Sequence, residues 1–564
     1  MRSELIDLME KINETRVFGP PGTGKTTYLT RQITNAAKKH RPSDIMVASF
    51  TNTASKELAG RNREMHDYIG TLHSHCYKAI GRPKVVGAEE IKEFNKQFPG
   101  FRITGESFNV SLEDKESNLG MGNSSMGDYL LHESQVLRAK LLPRERWKRN
   151  VRMFDNSWEN FKRAHGVIDF TDMIEKALDI DVAPNEPKIG FFDEAQDFTP
   201  LEFKVIRQWA KHMDYIVFSG DDDQLLYSWI GATPDSLLDG EADKRILSQS
   251  YRVPRAVQEY AQKWIKQVSK RQEKEYKPRD YEGELIHKNY KLSNPTNLVK
   301  SIKEDISEDK EIMILSTCGY MLNPLIKELR KQGIPFHNPY RTRNGMWNPI
   351  KLGGSYGSLT NYLKPCSQVF ENNKMYTIEE LNDWAKYISS KDSLERGAKK
   401  KMREQARIIE EKRQQLIDSG DRAMVDMGWF NEEVDIEFID KVFKDYSFLD
   451  KSGDKMEMIK WFENNLLSSK RKQFELPINL YKNNDIKDGN LDIKIKIGTV
   501  HSVKGGEADV VYLFPDLSYS AMKEYNKQGV SKDSVIRTMY VGMTRAKEKL
   551  VLCDSESTNR VKWQ

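Results

Sequence analysis

No apolar run in this chain of 564 residues reaches the roughly 18 residues a helix needs to cross a bilayer, which excludes a helical membrane protein. Cysteine is scarce. Cys76, Cys318, Cys366 and Cys553 lie far apart, with neither metal-ligand spacing nor the pattern of a disulfide framework, and they read as ordinary buried thiols. A dominant charge is also missing: 89 basic residues face 84 acidic ones, a net charge of +5, so the bulk balance permits nucleic-acid binding without arguing for it and any basic surface is local. The opening residues, MRSELIDLMEKINETRVFGPPG, hold no apolar stretch followed by a small-residue cleavage site, which argues against secretion and leaves the cytoplasm as the expected location. Internal repeats and nuclease-like clusters are absent. The length alone exceeds what one hydrophobic core supports and suggests about three or four domain-sized parts.

What is present starts at residues 15 to 39, TRVFGPPGTGKTTYLTRQITNAAKK: a short apolar run, a Gly/Pro-rich loop, then Tyr28, Leu29, Ile33 and Ala36 at helical spacing. This predicts strand, loop, helix. The loop matches G-x-x-x-x-G-K-S/T, in which glycines let backbone N–H groups close around phosphate oxygens at the positive end of a helix. The expected nucleotide contacts are Gly19, Pro20, Pro21, Gly22, Thr23, Gly24, Lys25, Thr26 and Thr27. Lys25 would reach the β and γ phosphates, and Thr26 would offer its hydroxyl to Mg²⁺. By itself the loop implies NTP binding and no particular NTPase.

Residues 188 to 200, KIGFFDEAQDFTP, form an apolar run ending in Asp193 and Glu194, as a buried parallel strand would deliver acids to the ligand crevice of an α/β sheet. Asp193 is expected in the Mg²⁺ shell, and Glu194 as the base that orients and deprotonates the attacking water. A second apolar run, YIVFSGDDDQLLYSWIGA at 215 to 232, ends in a polar cluster at the same sheet edge. There Gln224 is placed to contact the γ-phosphate. Tyr227 and Trp229, just beyond, offer flat faces on which single-stranded bases could stack, at about 1–3 kcal/mol per base. In isolation both aromatics would fit core positions; their tie to Gln224 favours the platform.

Together, GPPGTGKT, DEAQD and GDDDQ-x-x-Y-x-W resemble the UvrD/Rep-type branch of the superfamily 1 helicases, and further motifs of that family follow in order along nearly the whole chain. VASFTNTASKELAGR (47 to 61) resembles the first DNA-contact motif, with Phe50, Thr51 and Asn52 at the strand-touching positions, and IGTLHSHCY (69 to 77) the next, with His73 in its place. QSYRVP (249 to 254) resembles the motif opening the second motor domain and carries Arg252 as a phosphate-contacting arginine. IGTVHSVKGGEADVVYLF (497 to 514) holds H-S-x-K-G-x-E, which implies His501 and Lys504 on the DNA-coupling path and Glu507 at the ribose. MYVGMTRAKEKLVL (539 to 552) resembles the last motif, with Arg545 as the second γ-phosphate arginine. DFTDMIEKAL (169 to 178) and KQGIPF (331 to 336) are also similar to family segments. Two departures stand out: no glutamine precedes Gly19 where the family usually reads adenine, and Ile230 stands where an arginine is frequent. The chain is shorter than typical bacterial members, as a compact or phage-encoded relative acting in a host cytoplasm would be.

The resemblance implies an α/β fold of two RecA-like motor domains with parallel sheets, each carrying an inserted, mainly helical subdomain. Motif order places the first motor domain at 1–85 and 155–250 with its insertion at 86–154, and the second at 251–340 and 485–564 with its insertion at 341–484. The first insertion contains a polar stretch, ESNLGMGNSSMGDY, expected as a mobile loop, and the second a charged helix over 391–416. That helix reads as a solvated face with Glu/Arg and Glu/Lys pairs, or as a duplex-facing arm with Lys399, Lys400, Lys401 and Arg403 on phosphates. The implied activity is an ATP- and Mg²⁺-dependent DNA helicase with 3′ to 5′ polarity. Its expected partners are single-stranded DNA, single/double-strand junctions and other replication or repair proteins; it is expected to work as a monomer. The alternatives are a single-strand translocase that strips proteins without unwinding, and a nucleotide switch directed at RNA or a protein.

Overall fold

A computed structural model describes residues 13–50, 55, 58–60, 63–104, 125–341, 345–349, 376–418, 433–445, 455–482, 493–527, 529–555 and 557–563. Thr51, Asn52 and most of the polar Gly/Ser/Met stretch lie outside the described residues. The strands in chain order are β1 (Glu14–Phe18), β2 (Ile45–Ser49), β3 (Ile69–Thr71), β4 (Ile189–Asp193), β5 (Tyr215–Gly220), β6 (Asp243–Ile246), β7 (Glu284–Lys288), β8 (Ile312–Ser316), β9 (Phe336–His337), β10 (Ile495–Thr499), β11 (Ala508–Leu513) and β12 (Ala546–Cys553). The helices that matter for the site are α1 (Lys25–Ala37), α2 (Met126–Ala139), α3 (Arg149–His165), α4 (Phe170–Ala177), α5 (Pro200–Ala210), α6 (Arg255–Ile265), α7 (Ala398–Asp418) and α8 (Val530–Met543).

The chain divides into two compact units, one reaching to Pro324 and resuming at Gly498, the other Leu325–Ile497. The first unit contains two parallel α/β sheets. One has the order β3–β2–β4–β5–β1–β6, and its pairs are parallel throughout. Parallel strands covered on both faces must be apolar along their length, and every residue of β2 and β4 is buried. Leu29 and Ile33 of α1 close over Val17, Val47, Phe191 and Val217, so the helical spacing after the Gly/Pro loop serves to seat the helix on the sheet. In the other sheet β7, β12, β11 and β8 pair in parallel in that order.

The segment between β3 and β4 is helical and has its own core, in which Phe94 meets Trp158 edge to face at 4.9 Å and Phe154 and Trp147 join the cluster. It is fastened to α4 by buried charge. Lys162 donates to Asp169 at 2.9 Å and to Asp172 at 2.5 Å, and Arg138 reaches Asp169, Asp172 and Glu175. Ion pairs with this many hydrogen bonds offset the desolvation that an isolated buried charge would suffer. The acids of Glu159, Asp169 and Asp172 lie close enough together to resemble a metal site, but Lys162 touches all three and supplies the countercharge.

In the second unit Phe336 pairs with Ile495, and a helical cluster packs around Trp384, whose ring lies 5.1 Å from Tyr376 and 5.8 Å from Trp461. The charged helix expected over 391–416 begins at Ala398 instead, because Gly397 adopts a left-handed backbone at φ +82° and breaks the run. Lys399, Lys400, Lys401 and Arg403 are exposed on α7, and Arg407 pairs with Glu404 and Glu411 at 2.6 and 2.7 Å. Among the described residues no helix is long and apolar enough to cross a membrane.

Candidate functional site

The Gly/Pro loop leaves the C-terminal end of β1, where the Gly19 N–H donates to the Gly220 carbonyl of β5 at 3.2 Å. Gly22 and Gly24 both sit at φ +77°, conformations that strain an L side chain, and Gly24 is the residue from which α1 starts. Lys25 folds back so that Nζ donates to the Gly19 carbonyl at 2.6 Å, and the Thr23 hydroxyl donates to the Pro20 carbonyl at 2.8 Å. Thr26 is half-buried and Thr27 exposed on the first turn of α1. The Pro21 carbonyl accepts from the Ser250 hydroxyl at 3.0 Å and the Tyr276 hydroxyl at 3.1 Å. Gly22 faces Arg252 so closely that an added Cβ would stand 2.6 Å from Arg252 Cβ.

Asp193 ends β4, and Glu194 follows with a left-handed backbone at φ +53°, uncommon for a residue with a side chain. Glu194 Oε2 accepts from Gln196 Nε2 at 2.5 Å and meets Lys504 Nζ at 3.1 Å; Lys504 also pairs with Asp197. Gln224 donates from Nε2 to Asp221 Oδ2 at 2.7 Å, while its Oε1 accepts from Arg545 Nη2 at 3.1 Å. Arg252 donates from Nε to Glu507 Oε2 at 2.5 Å. Lys25, Asp193, Glu194, Gln224, Arg252, Glu507 and Arg545 are thus gathered around the loop from both sheets of the first unit.

The electrostatics follow from burial. Burial raises the Asp193 carboxyl to about 7, and the charge on Glu194 adds to the rise. Burial pushes Glu194 the same way, but Lys504 and Lys25 outweigh it and hold that carboxyl low, at about 2. Burial lowers the Lys25 ammonium against the pull of Asp221, Glu194 and Asp193, and it lowers Arg545 to about 10 with Arg252 as a like-charged neighbour. The two adjacent acids therefore differ in setting: Glu194 is half-buried against Lys504, while Asp193 at the end of β4 is almost wholly buried. Asp193 Oδ1 is buried and has no hydrogen-bond partner, so it and the Thr26 hydroxyl fit a divalent ion by donor type.

On the other flank, the Phe50 ring lies 4.8 Å from Tyr227, which is 6.3 Å from both Trp229 and His501, and Lys504 Nζ stands 5.5 Å over the Tyr227 face. Tyr227 is only 2% exposed, so the reachable aromatic face belongs to half-buried Trp229, whose ring lies 5.9 Å from that of His132 of α2. His501 is buried and its Nε2 lies 3.2 Å from the Leu226 carbonyl. Beside this group opens a cavity of about 70 Å³, lined by Phe50, His73, His132, Gln135, Phe170 and Ile230 among others. His73 Nδ1 is 3.6 Å from Glu202 Oε1. Sequence patterning missed Tyr276, Ser250, His132 and Gln135. None sits at a strand end or in a glycine loop, and only the fold brings them to the site.

The family model for the UvrD/REP helicase N-terminal domain matches residues 8–245, and that for the UvrD-like helicase C-terminal domain matches residues 368–557. A probable DNA helicase II homolog of Mycoplasma capricolum is 22% identical, over 95% of this chain and 81% of its own length. The ATP-dependent DNA helicase Rep of Buchnera aphidicola subsp. Schizaphis graminum is 22% identical over 95% of this chain and 90% of its own. The ATP-dependent DNA helicase PcrA of Staphylococcus aureus is 22% identical over 48% of this chain and 40% of its own.

Proposed function

The chain belongs to the UvrD/Rep helicase family and is an ATP-dependent DNA helicase of that type; from this premise we propose that it tracks 3′ to 5′ along single-stranded DNA and opens duplexes at single/double-strand junctions. The observation that carries the reading is Lys504. Its ammonium touches Glu194 and Asp197 and lies over the face of buried Tyr227, the ring beside Trp229, so one side chain links the proposed hydrolytic carboxylate to the packing behind the proposed base platform.

ATP enters with its phosphates at the loop 19–27, and Lys25 exchanges the Gly19 carbonyl for phosphate oxygens. Thr26 and Asp193 would hold Mg²⁺, which screens phosphate charge when bound. Glu194 takes the proton of the attacking water as the water oxygen bonds to the γ-phosphorus. The bond from that phosphorus to the β,γ-bridging oxygen breaks, and the electron pair leaves with ADP. Arg252 and Arg545 neutralise the charge developing on the transferring group, and Gln224 accepts from Arg545 beside it. Arg252 must leave Glu507 to do so, which frees Glu507 to meet the ribose.

While Lys504 holds Glu194, that carboxylate is a poor base. A strand seated against Trp229 disturbs the neighbouring Tyr227, loosens Lys504 and releases Glu194, which makes hydrolysis depend on DNA. The test is ATP turnover with and without single-stranded DNA, followed by unwinding of duplexes bearing a 3′ or a 5′ tail. Stimulation and unwinding from the 3′ tail support the reading. Unwinding from the 5′ tail alone overturns the polarity, stimulation without unwinding leaves a translocase, and turnover indifferent to DNA overturns the tracking mechanism.

A further inference from the structure

Residues 270–277, KRQEKEYK, lie outside every motif named above, yet they form a strap across the nucleotide site. After α6 the chain returns to the first sheet: the Lys277 N–H donates to the Ser248 carbonyl at 2.8 Å, and the Ser250 N–H donates to the Lys277 carbonyl at 2.9 Å. Tyr276, buried, donates its hydroxyl to the Pro21 carbonyl of the phosphate loop. Upstream, Lys274 has a side chain only 1% exposed and reaches three carboxylates, Asp221 at 3.0 Å, Asp222 at 2.5 Å and Asp223 at 3.0 Å. Arg271 forks onto Asp223 at 2.9 and 2.5 Å, and the Gln272 N–H donates to Asp222 at 2.8 Å.

We propose that Lys274 is a positioning residue for hydrolysis, which holds the Asp221 carboxylate in place and thereby fixes the sense of the Gln224 amide. This rests on the nucleotide site read above. An amide has two chemically different ends, and their direction is set by its partners. Gln224 turns its NH₂ toward the Asp221 carboxylate, which leaves its carbonyl oxygen facing Arg545. Lys274 Nζ at 3.0 Å and the Asp223 N–H at 3.2 Å hold one oxygen of this buried carboxylate, Oδ1, which turns the other, Oδ2, to Gln224. Without Lys274 that carboxylate is free to turn, and Gln224 loses its fixed acceptor. The Gln224 amide would then turn over, and its NH₂ would meet the Arg545 guanidinium, donor against donor. The seat of Arg545 on the Gln224 carbonyl oxygen would then be lost. Because Tyr276 of the same strap is hydrogen-bonded to the phosphate loop, the residue that sets Gln224 is also held in register with that loop.

The test is a double-mutant cycle on the full chain, with ATPase stimulated by single-stranded DNA as readout. Lys274→Met is expected to lower kcat about tenfold or more while KM for ATP shifts less than about threefold, the pattern of an interaction made in the transition state. In a Gln224→Ala background the same substitution is expected to have no further effect, because it acts through that amide. An additional loss there, or a full rate in Lys274→Met alone, overturns the proposal. If Lys274→Met fails to fold, as judged by circular dichroism, Asp221→Ala serves instead. It leaves Lys274 paired with Asp222 and Asp223 and carries the same two expectations, and the same two opposite results overturn it. A wild-type protein whose ATPase ignores DNA would instead sink the motor mechanism on which this role depends, a result visible before any variant is compared.

Discussion

Glu194 is held in a left-handed backbone by the turn after β4, and that turn aims its carboxylate at Lys504 instead of letting it follow Asp193 along the strand. Replacing it with Gln keeps the volume and the hydrogen bonding but removes the proton acceptor. Glu194→Gln is expected to bind ATP with near wild-type affinity in a fluorescent-nucleotide titration and to lose on the order of 10²–10⁴ in kcat. Normal turnover would remove Glu194 from its role. Glu202 makes a second residue-scale prediction. Burial raises its carboxyl to about 7 from the ordinary 4.5, against hydrogen bonds from the Thr199 N–H and hydroxyl, with His73 and Asp197 as the facing titratable groups. The folded chain therefore holds this proton between pH 4.5 and 7 where the unfolded chain has released it, so stability falls as pH rises through that window. Glu202→Gln, which keeps an acceptor for Thr199, is expected to flatten that slope: little gain at pH 4.5 and about 3 kcal/mol at pH 8 in urea denaturation. Equal effects at both pH values would show that the carboxyl is not the source.

At the scale of elements, strand ends carry the chemistry and loops connect it. β1, β4 and β5 end side by side, which brings Lys25, Glu194 and Gln224 to one edge of the first sheet, and the turn before β11 and the end of α8 supply Lys504, Glu507 and Arg545 from the second. Lys504 is the element-level contact with the plainest consequence. Burial opposes its charge, but Asp197 and Glu194 overcome this and raise its pKa, so it stays an ammonium across any working pH. Lys504→Ala is expected to raise ATP turnover in the absence of DNA several-fold and to shrink the ratio of DNA-stimulated to basal rate. A basal rate equal to wild type would mean that the ion pair does not restrain Glu194. The phosphate loop shows the same economy of construction: Gly22 is left-handed, and the space a side chain would need is taken by Arg252, so glycine is required twice over at that position.

For the molecule as a whole, the tailed-duplex experiment is the decisive one, because polarity is a property of the complete track and no single contact carries it. Unwinding from a 3′ tail is the expected outcome. The exposed cations of α7 belong to the second compact unit and already share that helix with acidic partners, so their duplex contact remains a proposal whose signature would be salt-dependent unwinding.

The parts legible in the sequence were those whose function and local structure coincide. A glycine loop between a strand and a helix, and acids at the ends of fully apolar strands, identify themselves because a phosphate site needs that backbone and a parallel sheet needs that burial. The two-sheet α/β architecture was implied by the resemblance of the motifs, in their order along the chain, to the UvrD/Rep family. The polar partners were not legible, because charge neutralisation in a buried site is a matter of distance through space: Lys504 lies 310 positions after Glu194, and Lys274 sits in a stretch that by composition reads as an ordinary charged loop. Nor could Tyr227 be told from Trp229, since both are aromatic and two residues apart, and only packing against Phe50 and His501 buries the first. The start of α7 was likewise displaced by a single left-handed glycine within an otherwise helical run. The sequence by itself thus determined which family this protein joins and which residues could meet a nucleotide, because those depend on short-range backbone geometry. The tertiary structure alone decided which charges hold them in place, because electrostatic pairing depends on what the fold brings within a few ångströms and out of water.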